Sequence, residues 1–77
     1  MIKINYDKNA DAAYIYLIPE DKILPGWVGK TYACNPAEVN GMINLDFDHE
    51  GHLGGIEVMD ASKKLSKELL NQANIIS

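Results

Sequence analysis

The stretch Asn44-Leu-Asp-Phe-Asp-His-Glu-Gly-His-Leu-Gly-Gly-Ile-Glu-Val-Met-Asp-Ala-Ser62 constrains the fold more than any other part of the chain. It alternates, turns on an acidic tip, alternates again and runs into a helix start. Ile43, Leu45 and Phe47 face one way and Met42, Asn44 and Asp46 the other, the period of a strand with one buried face. Asp48-His49-Glu50-Gly51 is a link that ends in glycine, as a type I turn closed by a left-handed residue requires. Residues 53–58 then read as a strand with Ile56 and Val58 on one face, and Gly54-Gly55 marks a bulge or a close backbone approach. A hairpin over 42–59 follows.

Beyond it, Asp60 or Ser62 is expected to cap a single helix over 60–74 by accepting a bond from an amide of its first turn. Ala61, Leu65, Leu69 and Ala73 recur every fourth residue, with Leu70 alongside, which makes one apolar stripe.

The N-terminal end predicts a second hairpin, over 1–18. Ile2, Ile4 and Tyr6 alternate with Lys3 and Asn5, and Asp7-Lys8-Asn9-Ala10-Asp11 supplies turn chemistry. In the returning strand, Ala13, Ile15 and Leu17 lie on one face and Ala12, Tyr14, Tyr16 and Ile18 on the other. Both faces are apolar or amphipathic, which suits a central strand covered on two sides. One helix covers one side only, so a second copy of the chain is the expected cover for the other. The alternative is that the tyrosines lay their rings on the sheet and keep their hydroxyls in water.

Residues 19–41 form an irregular or strand region, broken by Pro19, Pro25, Gly26, Gly29 and Pro36. A third strand is expected near 27–34. Asn35-Pro36 has the form of a cap followed by proline at the first helical position. Trp27 is either a core plug or an exposed anchor for a partner. The whole is one small domain, 1–77, of α+β class. Its predicted architecture is a curved antiparallel sheet of four to five strands with one C-terminal helix packed on one face.

Seventy-seven residues is short for a self-sufficient core. Chains of that size rarely draw more than about 3–5 kcal/mol from one. The single Cys34 forms no internal disulfide, and no Cys/His spacing marks a structural zinc site. A homodimer is the expected extra support. Neither a charged-then-apolar leader nor an apolar run near the ~18 residues of a membrane span occurs, so a cytoplasmic location and no membrane partner are expected. The net charge is −4 and arginine is absent, which disfavours direct nucleic-acid binding. Lys63, Lys64 and Lys67 read as a solvated helical face, and a basic partner protein remains compatible with the charge.

Asp46, Asp48, Glu50, Gly51 and Glu57 match positions 1, 3, 5, 6 and 12 of a calcium loop. The flanks oppose that reading. Upstream lie Pro36, Gly41 and an alternating strand pattern rather than a helix, and downstream the paired glycines make the region permissive, with a strand period fitting it better. An acidic hairpin is the better account, with a weak cation site over 46–57 as the alternative. Asp7 and Asp11 are explained by one hairpin, Asp46 and Asp48 by the other. Glu57, between apolar neighbours, needs a partner such as Lys3, Tyr14 or Tyr16. His49 and His52 flank the tip, and metal binding by that pair ranks below a bystander role. No catalytic, cofactor-binding or metal-ligating residue is assigned, and no cofactor.

Tyr6-Asp7, Ala10-Asp11-Ala12, Tyr14-Ile15, Leu17, Asn44-Leu-Asp-Phe-Asp48, Gly51-His-Leu53, Gly55-Ile-Glu57 and Ala61-Ser62, in this order and spacing, resemble the small bacterial proteins grouped as domain of unknown function 2283. The likeness covers roughly residues 1–65, and the Pro/Gly-containing insert at 19–36 departs from the short members. It implies a strand-rich domain with a closing helix and no established activity, and more weakly a role like the antitoxin half of a toxin–antitoxin pair. The function therefore stands as unknown. The order of preference is a protein-interaction module, then a small-molecule or cation-binding domain, then an enzyme.

Overall fold

The computed structural model describes residues 2–76, so Met1 and Ser77, the ends of the expected 1–77 domain, lie outside the described residues. Six strands form one mixed sheet: β1 Lys3–Asp7, β2 Ala12–Tyr16, β3 Lys30–Ala33, β4 Ile43–Phe47, β5 Leu53–Met59 and β6 Asn74–Ile75. Their order across the sheet is β3-β4-β5-β2-β1-β6. Each predicted hairpin forms, and β2 pairs with β5 to join them, Ala13 opposite Val58 and Tyr14 opposite Glu57. Both expectations for the difficult middle region also hold. A strand occupies 30–33, and Asn35 caps the short helix α1 (Pro36–Val39) by accepting from the Ala37 amide at 3.1 Å.

Two features differ from expectation. The sheet has six strands rather than four or five, because Asn74 and Ile75 run parallel to β1 beside Asn5 and Tyr6. The C-terminal helix is not continuous over 60–74. It splits into α2 (Ala61–Lys64) and α3 (Lys67–Asn71), with Leu65 extended at φ −108°, ψ 146° between them. Ser66 causes the restart: its side chain accepts from the Leu69 amide at 3.1 Å, a bond that favours a new helix over continuation. The break lets Leu65, Leu70 and Ala73 reach one sheet face and returns the chain to the β1 edge.

That face holds the core. Tyr6, Ala13, Val58 and Ala61 are buried, with Ile43, Ile56, Leu65, Leu70 and Ala73 packed against them. The start of α2 is held from a distance. Asp11, in the first hairpin loop at φ 51°, accepts from the Ala61 amide through its backbone oxygen (2.9 Å). Its carboxylate takes the Ser62 amide (2.9 Å), the Ser62 hydroxyl (2.7 Å) and the Tyr6 hydroxyl (2.7 Å). Asp11 thus supplies the cap expected of Asp60 or Ser62. Asp60 sits at φ 54° without a capping bond, and Ser62 donates rather than accepts. These donors hold the Asp11 carboxyl below the usual carboxylate range, the Tyr6 hydroxyl contributing most.

Candidate functional site

Strand alternation places Tyr6, Ala13, Ile15, Ile56, Val58, Ile43 and Leu45 on the helix-covered face. The opposite face therefore receives Tyr14, Tyr16, Glu57, Asn44, Asp46 and Thr31. These side chains form a network laid flat on the sheet. Tyr14, on β2, crosses β5 and donates its hydroxyl to Asp46 on β4. Thr31, on β3, donates to the other Asp46 oxygen at 2.5 Å. One row of contacts thus spans four strands. Beside it, the Asn44 amide donates to Glu57 at 2.9 Å.

The crossing depends on Gly55. A Cβ there would stand 2.6 Å from Tyr14 Cε1, well inside contact distance. Gly55 is therefore the seat of the Tyr14 ring, and Gly54 plays the same part for Trp27, whose ring edge would meet a Cβ at 2.5 Å. A register shift at Asp46/Phe47 accompanies the pair, so both the expected bulge and the expected close approach are present. Tyr16 stacks beside Tyr14 with ring centroids 4.6 Å apart and planes tilted by 46°. Burial, the bond to Asp46 and the nearby carboxylates raise the Tyr14 hydroxyl pKa well above its ordinary value.

Asp46 keeps the polar strand position that alternation gave it, and Tyr14 and Thr31 are its partners. One sequence-based assignment changes here. Glu57 is paired by Asn44 rather than by Lys3, Tyr14 or Tyr16, although Tyr14 is its cross-strand neighbour. Lys3 instead pairs with Glu20 at 3.1 Å. Asn44 and Thr31 went unassigned in the sequence, yet their position in the alternation already set Asn44 on the polar side with Asp46.

The hairpin tip is a turn. Asp48 Oδ1 accepts from the Glu50 and His52 amides, each at 2.9 Å, and Gly51 takes the left-handed conformation at φ 90°. Those bonds, led by the His52 amide, lower the Asp48 carboxyl pKa. A calcium loop does not form, because Asp46 and Glu57 are strand residues committed to the sheet face. Asp48, Glu50 and His52 do converge, with candidate ligand atoms all within 4.8 Å of one another. His49 turns away to the Gly26 carbonyl at 2.8 Å, so the two histidines do not act as a pair. Beside the tip, a cavity of about 460 Å³ is lined by Leu17, Ile18, Trp27, His52 and Leu53, among others. Trp27 is half-buried there, neither deep plug nor free anchor. Cys34 is a free, half-buried thiol.

Among the described residues no helix is long and apolar enough to cross a membrane. Neither a curated protein nor a solved structure matches the chain. A family model described as "Protein of unknown function (DUF2283)" matches residues 3–62, from β1 through the start of α2. That span contains the whole of the Tyr14–Asp46–Thr31 row, the Asn44–Glu57 pair and the Asp11 clasp, and the chain belongs to this family, whose function is unknown.

Proposed function

We propose that the chain is a small protein-interaction module that docks a basic partner protein on its helix-free sheet face. The carrying observation is the pair of carboxylates on that face. Asp46 and Glu57 are held by neutral donors alone, and no cation pairs with either among the described residues. Tyr14 and Tyr16 lie beside them. Carboxylates next to half-buried tyrosine rings suit an incoming arginine or lysine, which gains charge-assisted hydrogen bonds and cation–π contact together, the latter as Lys3 already does over the Tyr16 ring at 5.9 Å. The chain has no arginine of its own, and its net charge of −4 steers a basic partner toward it. A second copy fits this face poorly, since face-to-face stacking would set carboxylates against carboxylates. An antitoxin-like role, which the family resemblance implies, is one form of such pairing.

The test is co-purification of the tagged protein from the cells that express it, beside a Glu57→Gln variant. The variant keeps the acceptor for Asn44 and loses the charge. The expected result is a stoichiometric basic protein retained by the parent and lost by the variant, with unchanged melting temperatures. Retention indifferent to Glu57→Gln, or no retained protein at all, defeats the reading.

A further inference from the structure

We propose that β3 is a self-pairing edge, through which two copies of the chain join in antiparallel fashion about Tyr32 to make one continuous sheet. The direction of the backbone groups carries this. The Cys34 amide donates to the Ile43 oxygen at 2.9 Å, and bonded pairs alternate along an antiparallel ladder. Lys30, Tyr32 and Cys34 therefore turn their amides and carbonyls toward β4, while Thr31 and Ala33 turn theirs outward. The neighbouring ladder agrees. The Met59 amide donates to the Met42 oxygen at 3.0 Å, which assigns residues 42, 44 and 46 to β5 and leaves 43, 45 and 47 for β3.

Two outward residues separated by one form a self-complementary unit. A two-fold axis at Tyr32 sets Thr31 opposite Ala33 of the second copy, and Ala33 opposite its Thr31. Each pair exchanges two amide–carbonyl bonds, so every outward group of β3 is satisfied. An axis at Thr31 would instead place Ala33 opposite Gly29, whose amide already donates to the Phe47 oxygen at 2.7 Å. The side chains favour the same register. Tyr32, 54% exposed, meets its own counterpart in the close, non-bonded type of cross-strand pair. Lys30 stands opposite Cys34, so no like charges are opposed.

Edge strands are ordinarily blocked by charge, proline or a bulge. Thr31, Tyr32 and Ala33 carry none of these, and all four residues of β3 are exposed. Because cross-strand neighbours share a face, the pairing would also fuse the two helix-free faces into one. The edge contact does not depend on the docking reading, and each can fail alone.

The test uses the full chain and its native thiol. Lys30→Cys places a second thiol opposite Cys34 of the other copy, at a separation a disulfide can span. Under mild oxidation this variant is expected to form a reducible covalent dimer. The parent and a Lys30→Cys/Cys34→Ser variant should not, because like thiols then lie about 13 Å apart along the strands. By light scattering the parent should show a concentration-dependent dimer mass. Ala33→Pro removes an outward amide and Tyr32→Glu opposes two charges, so each should be monomeric at concentrations where the parent is dimeric, with circular dichroism unchanged. A parent that stays monomeric throughout, or a dimer that survives both substitutions, overturns the proposal.

Discussion

Tyr14 donates a hydroxyl hydrogen bond to Asp46 across an intervening strand, over a glycine that leaves room for the ring. The link ties the N-terminal hairpin to the second one through side chains as well as through the β2–β5 ladder. It makes the uncovered sheet face a fixed surface rather than a set of independent solvated side chains.

Gly55→Ala should unseat that ring. The new methyl overlaps Tyr14, and overpacking of this kind costs about 1–3 kcal/mol. Urea denaturation of Gly55→Ala against the parent measures it. In a Tyr14→Ser background the same change should be close to neutral, and equal costs in both backgrounds would show that Tyr14 is not the obstacle.

Tyr14→Phe should cost about 1 kcal/mol, the net worth of one hydrogen bond between protein groups. Alkaline pH offers an independent check. The folded-state pKa of Tyr14 lies above its unfolded value near 10.0, so its contribution is complete below that pH and declines as pH rises beyond it. The parent should lose stability above pH 10 more steeply than Tyr14→Phe. Parallel pH profiles for the two proteins would contradict the assignment.

Asp11 governs the acid side. Its folded pKa lies below the unfolded value of 3.8, so its stabilisation is present above that pH and is lost as pH falls through the folded value. Asp11→Asn tolerates the left-handed backbone and removes the titration. Its stability should be lower than the parent's at neutral pH, and the difference should narrow below about pH 4. Ser62→Ala, which deletes one of the three donors to this carboxylate, should show the same trend to a smaller degree. Thermal melts from pH 7 to pH 2 decide the matter.

Millimolar calcium should leave the melting temperature unchanged. Asp46 and Glu57, which a calcium loop would require as ligands, are occupied by Tyr14, Thr31 and Asn44 on a sheet face. A rise in melting temperature that Asp46→Ala abolishes would restore the calcium reading.

What the sequence revealed was local. Alternation around Ile43–Phe47 and around Ile4–Tyr6 located both hairpins, and Asn35-Pro36 announced a capped helical turn, because each signal acts within a few residues. The β2–β5 pairing, the parallel β6 and the Asp11 clasp join residues 39 to 69 positions apart, and no periodicity encodes them. The helix break was signalled by Ser66, a strong capping residue, but the fourfold recurrence of Ala61, Leu65, Leu69 and Ala73 masked it. For the candidate site, alternation put Asn44, Asp46 and Glu57 on one side of their strands. Only the register showed that Tyr14 and Thr31 close on Asp46, and that Asn44 is the partner Glu57 needed.

The strand order also bears on how the chain leaves the ribosome. β2 finds its second neighbour only when β5 emerges, about forty residues later, and β1 finds one only with β6, almost at the last residue described. Until β5 and then β6 are made, the first hairpin therefore shows its flanks, among them the apolar run from Ala12 to Ile18, with nothing yet made to cover them. Until then that run is open to any other surface it meets.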